Sequence, residues 1–297
     1  MNVTLQAERE LAFDRTDLRR STFVRSVYCL FADLQWIARS PWVPASRLLM
    51  AARLTFLSAV YGLSLPMHSD SPIPGIKVQF YCFDEYFSLY REIFIRQEYS
   101  LPLESSHPLI LDCGANIGLA TIYFKRRFPS SRIIAFEPSP VSFSRLTSNI
   151  KHNNLRDVEL RNEALGGRDG PVMLTRRKGS AEGHAASIAI PEGDGSDSAP
   201  VKCTRLSTVI EQLESVDLVK LDIEGAEYEV LADLDKCGQL GRIASFIIEY
   251  HERVASSPVE CALSLLTQNG FHWRIGTEWK PWYSLKDPYA VMIYAVR

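Results

Sequence analysis

Leu109–Phe124 reads LILDCGANIGLATIYF. Leu109, Ile110 and Leu111 form a short apolar run of the buried-strand kind, which Asp112 closes. Gly114, Ala115, Asn116 and Gly118 follow as a turn of small residues. Leu119, Ala120, Ile122, Tyr123 and Phe124 then continue at a spacing that suits a helix. A strand that hands a glycine turn to a helix N-terminus suits a nucleotide. Missing side chains let the backbone approach a ligand, and free N–H groups at the helix start favour acceptor oxygens. The spacing is Gly-x-x-x-Gly, not the Gly-x-Gly-x-x-Gly of a dinucleotide site, so a diphosphate is not the expected guest.

A second apolar run, Ile133–Glu137 (IIAFE), ends in an acid about one βαβ unit later. An acid at the tip of a second strand suits two ribose hydroxyls, which donate together to one carboxylate. The two stretches point to an adenosyl ligand across the ends of adjacent parallel strands.

DCGANIG, AFEPSP and LVKLDIEGAEYEVL resemble the S-adenosylmethionine-dependent methyltransferases of the FkbM type, over about Phe80 to Glu252 and more weakly to the C-terminus. The resemblance implies an α/β fold: a doubly wound, mostly parallel, seven-stranded Rossmann-like sheet. It implies that Asp112, Gly114, Ala115, Asn116 and Gly118 hold the methionine part of the cofactor. Glu137 holds the ribose, with Pro138 beside it, and Asp222 faces the methyl donor or acceptor. Members of the family typically methylate hydroxyls of sugars or natural products.

The chain has 297 residues and a net charge of −2, so it offers no overall field for nucleic acid. Its six cysteines include no Cys-x-x-Cys pair, which argues against a zinc site and suits reduced thiols in the cytoplasm. Residues 1–75 read as a helical N-terminal extension and linker, and residues 76–297 as the methyltransferase domain. Within the extension two helices flank Ser40–Pro44, and no stretch reaches the roughly 18 uncharged apolar residues of a membrane span. The extension suits a homodimer face or a cover on the domain. The HSDSPIPG segment, His68–Gly75, is a linker by composition.

A strand or sheet edge is expected over Ile76–Phe83 and one helix over Asp84–Leu101, with Tyr86 or Tyr99 near the ligand. Asn162, Glu163 and Ala164 end a third strand, where Glu163 suits the adenine amine and Ala164 the ring. Thr175–Pro200, rich in Gly, Ser and Ala, reads as a long loop over the acceptor side, with His184 and Ser187 as contacts. Two further strands end at Asp222 and Glu249, and an antiparallel pair closes the sheet.

Methyl transfer to a hydroxyl is helped by a general base, because the free hydroxyl holds its proton far above neutral pH. Asp222 and Glu224 lie at one strand end, Glu249 and His251 at the next. His251 or Asp222 is read as the base, with Glu224 and Glu249 binding acceptor hydroxyls. No residue is assigned as a metal ligand, although several acids at one cleft could instead hold a divalent cation. A base amino group is an unexpected acceptor, because no Asn/Asp-Pro-Pro-Tyr/Phe turn follows the fourth strand. The alternative is a cofactor-binding scaffold of the same fold that turns over weakly or not at all.

Overall fold

The computed structural model describes residues 44–63, 76–81, 83–176, 186–188, 197–252, 254–276 and 290–297, with scattered positions between 27 and 38. Its described helices are α1 (Pro44–Gly62), α2 (Phe83–Tyr90), α3 (Leu119–Arg127), α4 (Pro140–His152), α5 (Leu206–Glu211), α6 (Glu227–Lys236) and α7 (Val259–Gln268). The strands are β1 (Leu109–Cys113), β2 (Arg132–Phe136), β3 (Val158–Arg161), β4 (Ala164–Leu165), β5 (Gly170–Arg176), β6 (Ala186–Ser187), β7 (Asp197–Thr204), β8 (Leu218–Leu221), β9 (Ser245–His251), β10 (His272–Ile275) and β11 (Ala290–Val296).

Seven strands form the main sheet in the order β10-β11-β9-β8-β1-β2-β3. β9, β8, β1, β2 and β3 run parallel, and β11 and β10 join antiparallel at one edge. From β1 the chain winds out to β3, then resumes at β8 on the other side. The order therefore reverses at β1, and ligands of open α/β sheets bind beyond the strand ends at such a point.

Alternation along each strand feeds two cores. Ile110, Ile133 and Leu218 pack with α3, α4 and the N-terminal helices. Leu111, Ile134 and Val219 pack with α5, α6 and α7. The N-terminal segment shares the first core: α1 buries Leu54 and Leu57 there, while its Leu48, Leu49 and Phe56 stay exposed. Buried Asp33 adds an ion pair to Arg91 and another to Arg96 at 3.4 Å.

Three local readings change. The Ile76–Phe83 strand is not formed: only Ile76 makes a β-bridge, and Phe83 already starts α2. The backbone between them is held instead by two asparagines one turn apart on α4. Lys77 N donates to Asn153 Oδ1 at 3.2 Å and Gln79 N to Asn149 Oδ1 at 2.6 Å. Asn153 Nδ2 donates to Lys77 O at 2.7 Å and Asn149 Nδ2 to Gln79 O at 3.0 Å. With its polar groups taken by side chains, the segment needs no strand partner.

The single helix over Asp84–Leu101 stops being α-helical at Tyr90 and widens into a π turn, Arg91–Ile95. That turn brings Arg91 and Arg96 to the same carboxylate, Asp33. The long loop over Thr175–Pro200 is shorter than expected, because β5 runs on to Arg176 and β7 starts at Asp197. Ala186–Ser187 pairs with β5, completing a second sheet of order β4-β7-β5-β6. His184 lies outside the described residues.

Candidate functional site

The β1 turn is a close-packed junction. Gly114 has φ +83°, and a Cβ there would stand 1.8 Å from the carbonyl oxygen of Asp222. Gly114 N and Ala115 N both donate to Phe136 O, at 3.0 and 2.8 Å, and Asp222 N donates to Cys113 O at 3.1 Å. The tips of β1, β2 and β8 are thus tied through backbone groups. Gly118, at φ +91°, turns the chain into α3 with Leu146 packed where its Cβ would be. Behind the turn Asp112 is fully buried and accepts from Thr121 Oγ1 at 2.6 Å.

A cleft opens beyond these tips. Gly114, Asn116, Glu137, Pro138, Glu163, Ala164, Asp222 and Glu224 line it, so eight of the residues read from the sequence meet in one space. Asp112, Ala115, Gly118, Glu249 and His251 lie outside its lining. Phe136, Ser139, Leu165, Leu174, Ile188 and Ile223 also line it and were not singled out in the sequence. Apolar strand ends carry no sequence signal that separates a cleft wall from ordinary core.

Glu137 is 7 % exposed and held by two backbone amides. Asn116 N donates to its Oε2 and Ser139 N to its Oε1, each at 2.9 Å. Burial pushes this carboxyl up to about 7, against the pull of those two amides. Beside it Asn116 sits at φ +48°, with its Oδ1 buried and without a hydrogen-bond partner among the described residues. Glu163 turns its carboxylate to β7, accepting from Lys202 Nζ at 2.6 Å and Thr204 Oγ1 at 2.7 Å. Burial opposes ionisation of Glu163, but these donors outweigh it and hold its pKa below the usual range.

A buried lysine occupies the centre. Lys220, 2 % exposed, donates to Gly114 O at 2.6 Å and lies 3.2 Å from Asp222 Oδ2 and 3.5 Å from Asp112 Oδ1. Burial would lower its pKa, yet Asp222 and Asp112 outweigh that and raise it. Tyr99 donates to Asp222 Oδ2 at 3.0 Å, whereas Tyr86 is fully buried in the first core. The clue to Lys220 was its own position, a lysine inside a four-residue apolar strand.

β9 continues through His251, which puts Glu249 and His251 on one face. Glu249 is 2 % exposed and lies outside the lining of the cleft where acceptor hydroxyls were expected. His251 Nδ1 lies 2.9 Å from Glu227 Oε1, and the same oxygen accepts from Ile223 N and Gly225 N at 3.1 Å each. Glu227 therefore orients the histidine and also fixes the loop that carries Glu224. Ser187 completes that anchoring by donating to Glu224 O. Burial alone would lower the His251 pKa, but the Glu227 hydrogen bond and the surrounding carboxylates push it up to about 10. A histidine so placed carries a proton at neutral pH, which removes it as the free base.

The sequence profile described as the Methyltransferase FkbM domain matches residues 112–272, more than half of the chain. The chain belongs to the FkbM methyltransferase family. This FkbM-family chain is 31% identical over 230 residues to "Methyltransferase sdnD" of Sordaria araneosa, a match covering 65% of the chain and 85% of that relative. It is 30% identical over 151 residues to "2-O-methyltransferase NoeI" of Sinorhizobium fredii, covering 46% and 61% respectively. Against "31-O-demethyl-FK506 methyltransferase FkbM" of Streptomyces tacrolimicus the identity is 27% over 212 residues, covering 62% and 80%. The match contains the whole stretch from the Asp112 turn to His251, the residues whose geometry builds the cleft.

Proposed function

We propose that the protein is an S-adenosylmethionine-dependent O-methyltransferase whose acceptor is a hydroxyl of a sugar or secondary metabolite. The observation that carries this reading is Glu137: a carboxylate fixed by two amides, facing a cleft at the reversal point of the sheet. Each of its oxygens keeps acceptor capacity after those bonds, which suits the two hydroxyls of a ribose. The unpartnered Asn116 Oδ1 fits a donor on the same ligand. Gly114 and Asn116 would hold the methionine part, Glu137 and Pro138 the ribose, and Ala164 and Leu165 the adenine ring. When bound, the cofactor supplies an electrophilic methyl group on a sulfonium sulfur.

The chain's own work is on the acceptor. Asp222, pinned by Tyr99 and Lys220, faces the cleft and takes the hydroxyl proton at its carboxylate. His251 holds a positive charge beside that oxygen and favours the developing alkoxide. Glu224 offers an acceptor to a neighbouring hydroxyl. The names of two relatives, a 2-O-methyltransferase and a 31-O-demethyl-FK506 methyltransferase, support transfer to oxygen.

Calorimetry with S-adenosylhomocysteine tests the cofactor half of this reading. Glu137→Ala should weaken binding by about 10- to 100-fold, since hydrogen bonds to a charged group are worth about 1.5–3 kcal/mol. Unchanged affinity would refute the ribose assignment.

A further inference from the structure

We propose that Asp222, Glu224 and His251 form a binding site for a divalent transition ion of the manganese(II) type, held where the acceptor oxygens enter. One ligand atom from each side chain lies within 4.8 Å of the other two. His251 Nε2 is 3.6 Å from Glu224 Oε2 and 3.9 Å from Asp222 Oδ1, too long for a hydrogen bond to either. Ligand atoms about 2.1 Å from one shared ion stand about 3–4 Å from one another, which is the spacing found.

The second observation is how the histidine is aimed. His251 is 4 % exposed, and its Nε2 points between the two carboxylates at ion-pair distance from both. Its other nitrogen is bound to Glu227, a fully buried acid held in turn by the amides of Ile223 and Gly225. A carboxylate on Nδ1 fixes the ring, the arrangement common behind metal-bound histidines, and an ion binding at Nε2 takes the place of the proton held there in the empty site. Glu224 is fixed too: its backbone stands at φ +57° and Ser187 bonds its carbonyl. All three ligands are therefore pre-placed.

Two carboxylates suit a hard divalent ion, and the imidazole adds a nitrogen that a transition ion such as manganese(II) accepts more readily than calcium or magnesium, which prefer oxygen alone. Three protein ligands leave coordination positions open toward the cleft, where two neighbouring oxygens of a diol fit. With the ion bound, Asp222 is a ligand and no longer the proton acceptor; a hydroxyl on the ion then loses its proton to solvent, because the resulting alkoxide is paired with the ion. This use rests on the O-methyltransferase reading, while the ion site rests on the side-chain geometry.

The test uses the full chain, dialysed against a chelator and titrated with manganese(II) chloride under electron paramagnetic resonance. One ion should bind per chain, and pulsed spectra should show coupling to an imidazole nitrogen. Glu224→Gln, a change at a half-exposed side chain, should weaken ion binding at least tenfold while S-adenosylhomocysteine affinity stays within about twofold. No bound ion, no nitrogen coupling, or unchanged ion affinity in Glu224→Gln would each overturn the proposal. Failure to bind S-adenosylhomocysteine would instead overturn the cofactor reading and leave the ion result standing.

Discussion

Glu137 carries two opposed pH effects that one residue can be made to report. Burial raises its pKa to about 7, so the protonated form is favoured in the folded chain. A ribose diol donates to the carboxylate, so binding needs the ionised form. Affinity for S-adenosylhomocysteine should therefore rise with pH through 7 and level off above about 8, with a Kd at pH 6 about tenfold weaker than the plateau. Calorimetry across this range measures it, and Glu137→Gln should flatten the profile. Without ligand the slope has the other sign. A carboxyl raised in the folded state stabilises below its unfolded pKa, and that contribution is lost as pH climbs through 7. Asp222, Glu137 and the glycine turn were legible in the sequence because each ends an apolar run. Lys220 left only the trace of a lysine inside an apolar run, and Glu227 left none, since nothing in a linear pattern says that one buried acid will receive a histidine and two amides.

Among the elements, the β1 turn is the least tolerant of change. Gly114→Ala places a methyl group inside van der Waals contact with the Asp222 carbonyl and strains a positive φ. The tips of β1 and β8 would have to part. S-adenosylhomocysteine binding should be lost at concentrations that saturate the unmodified chain, with the melting temperature lowered, both readable by thermal shift with and without ligand. Most elements could be read from periodicity: β1, β8, α6, α7 and β11 stand where apolar spacing puts them. The π turn after Tyr90 could not, because the partner it presents Arg91 to is Asp33, an acid 58 residues upstream. The braced segment before α2 was misread for a similar reason. Its partners are side chains of α4, 70 and more residues away, where a strand reading looks for backbone.

Across the whole molecule, the N-terminal segment and the sheet share one core, and Asp33 is a polar link from that segment to the turn after α2. Asp33→Ala would take from Arg91 and Arg96 the carboxylate they share, leaving Arg96 with Glu98 at 4.0 Å. Breaking such a pair from one side costs about 3–5 kcal/mol, so the urea midpoint should fall by the corresponding amount. The second sheet, β4-β7-β5-β6, branches from the main one at the cleft, and its Ile188 and Leu174 form part of the wall. No described helix is long and apolar enough to cross a membrane.

The two asparagines of α4 set a practical boundary for anyone shortening this chain. Expression starting at Tyr81 would delete Lys77 and Gln79 and strand four amide hydrogen bonds, two on each asparagine. Asn149 is fully buried beneath that segment, and without it keeps only its bond to Ile117 O, so water must replace the rest. A trimmed version that keeps Ile76 and its neighbours retains that clasp; one cut five residues later begins by uncovering the flank of α4.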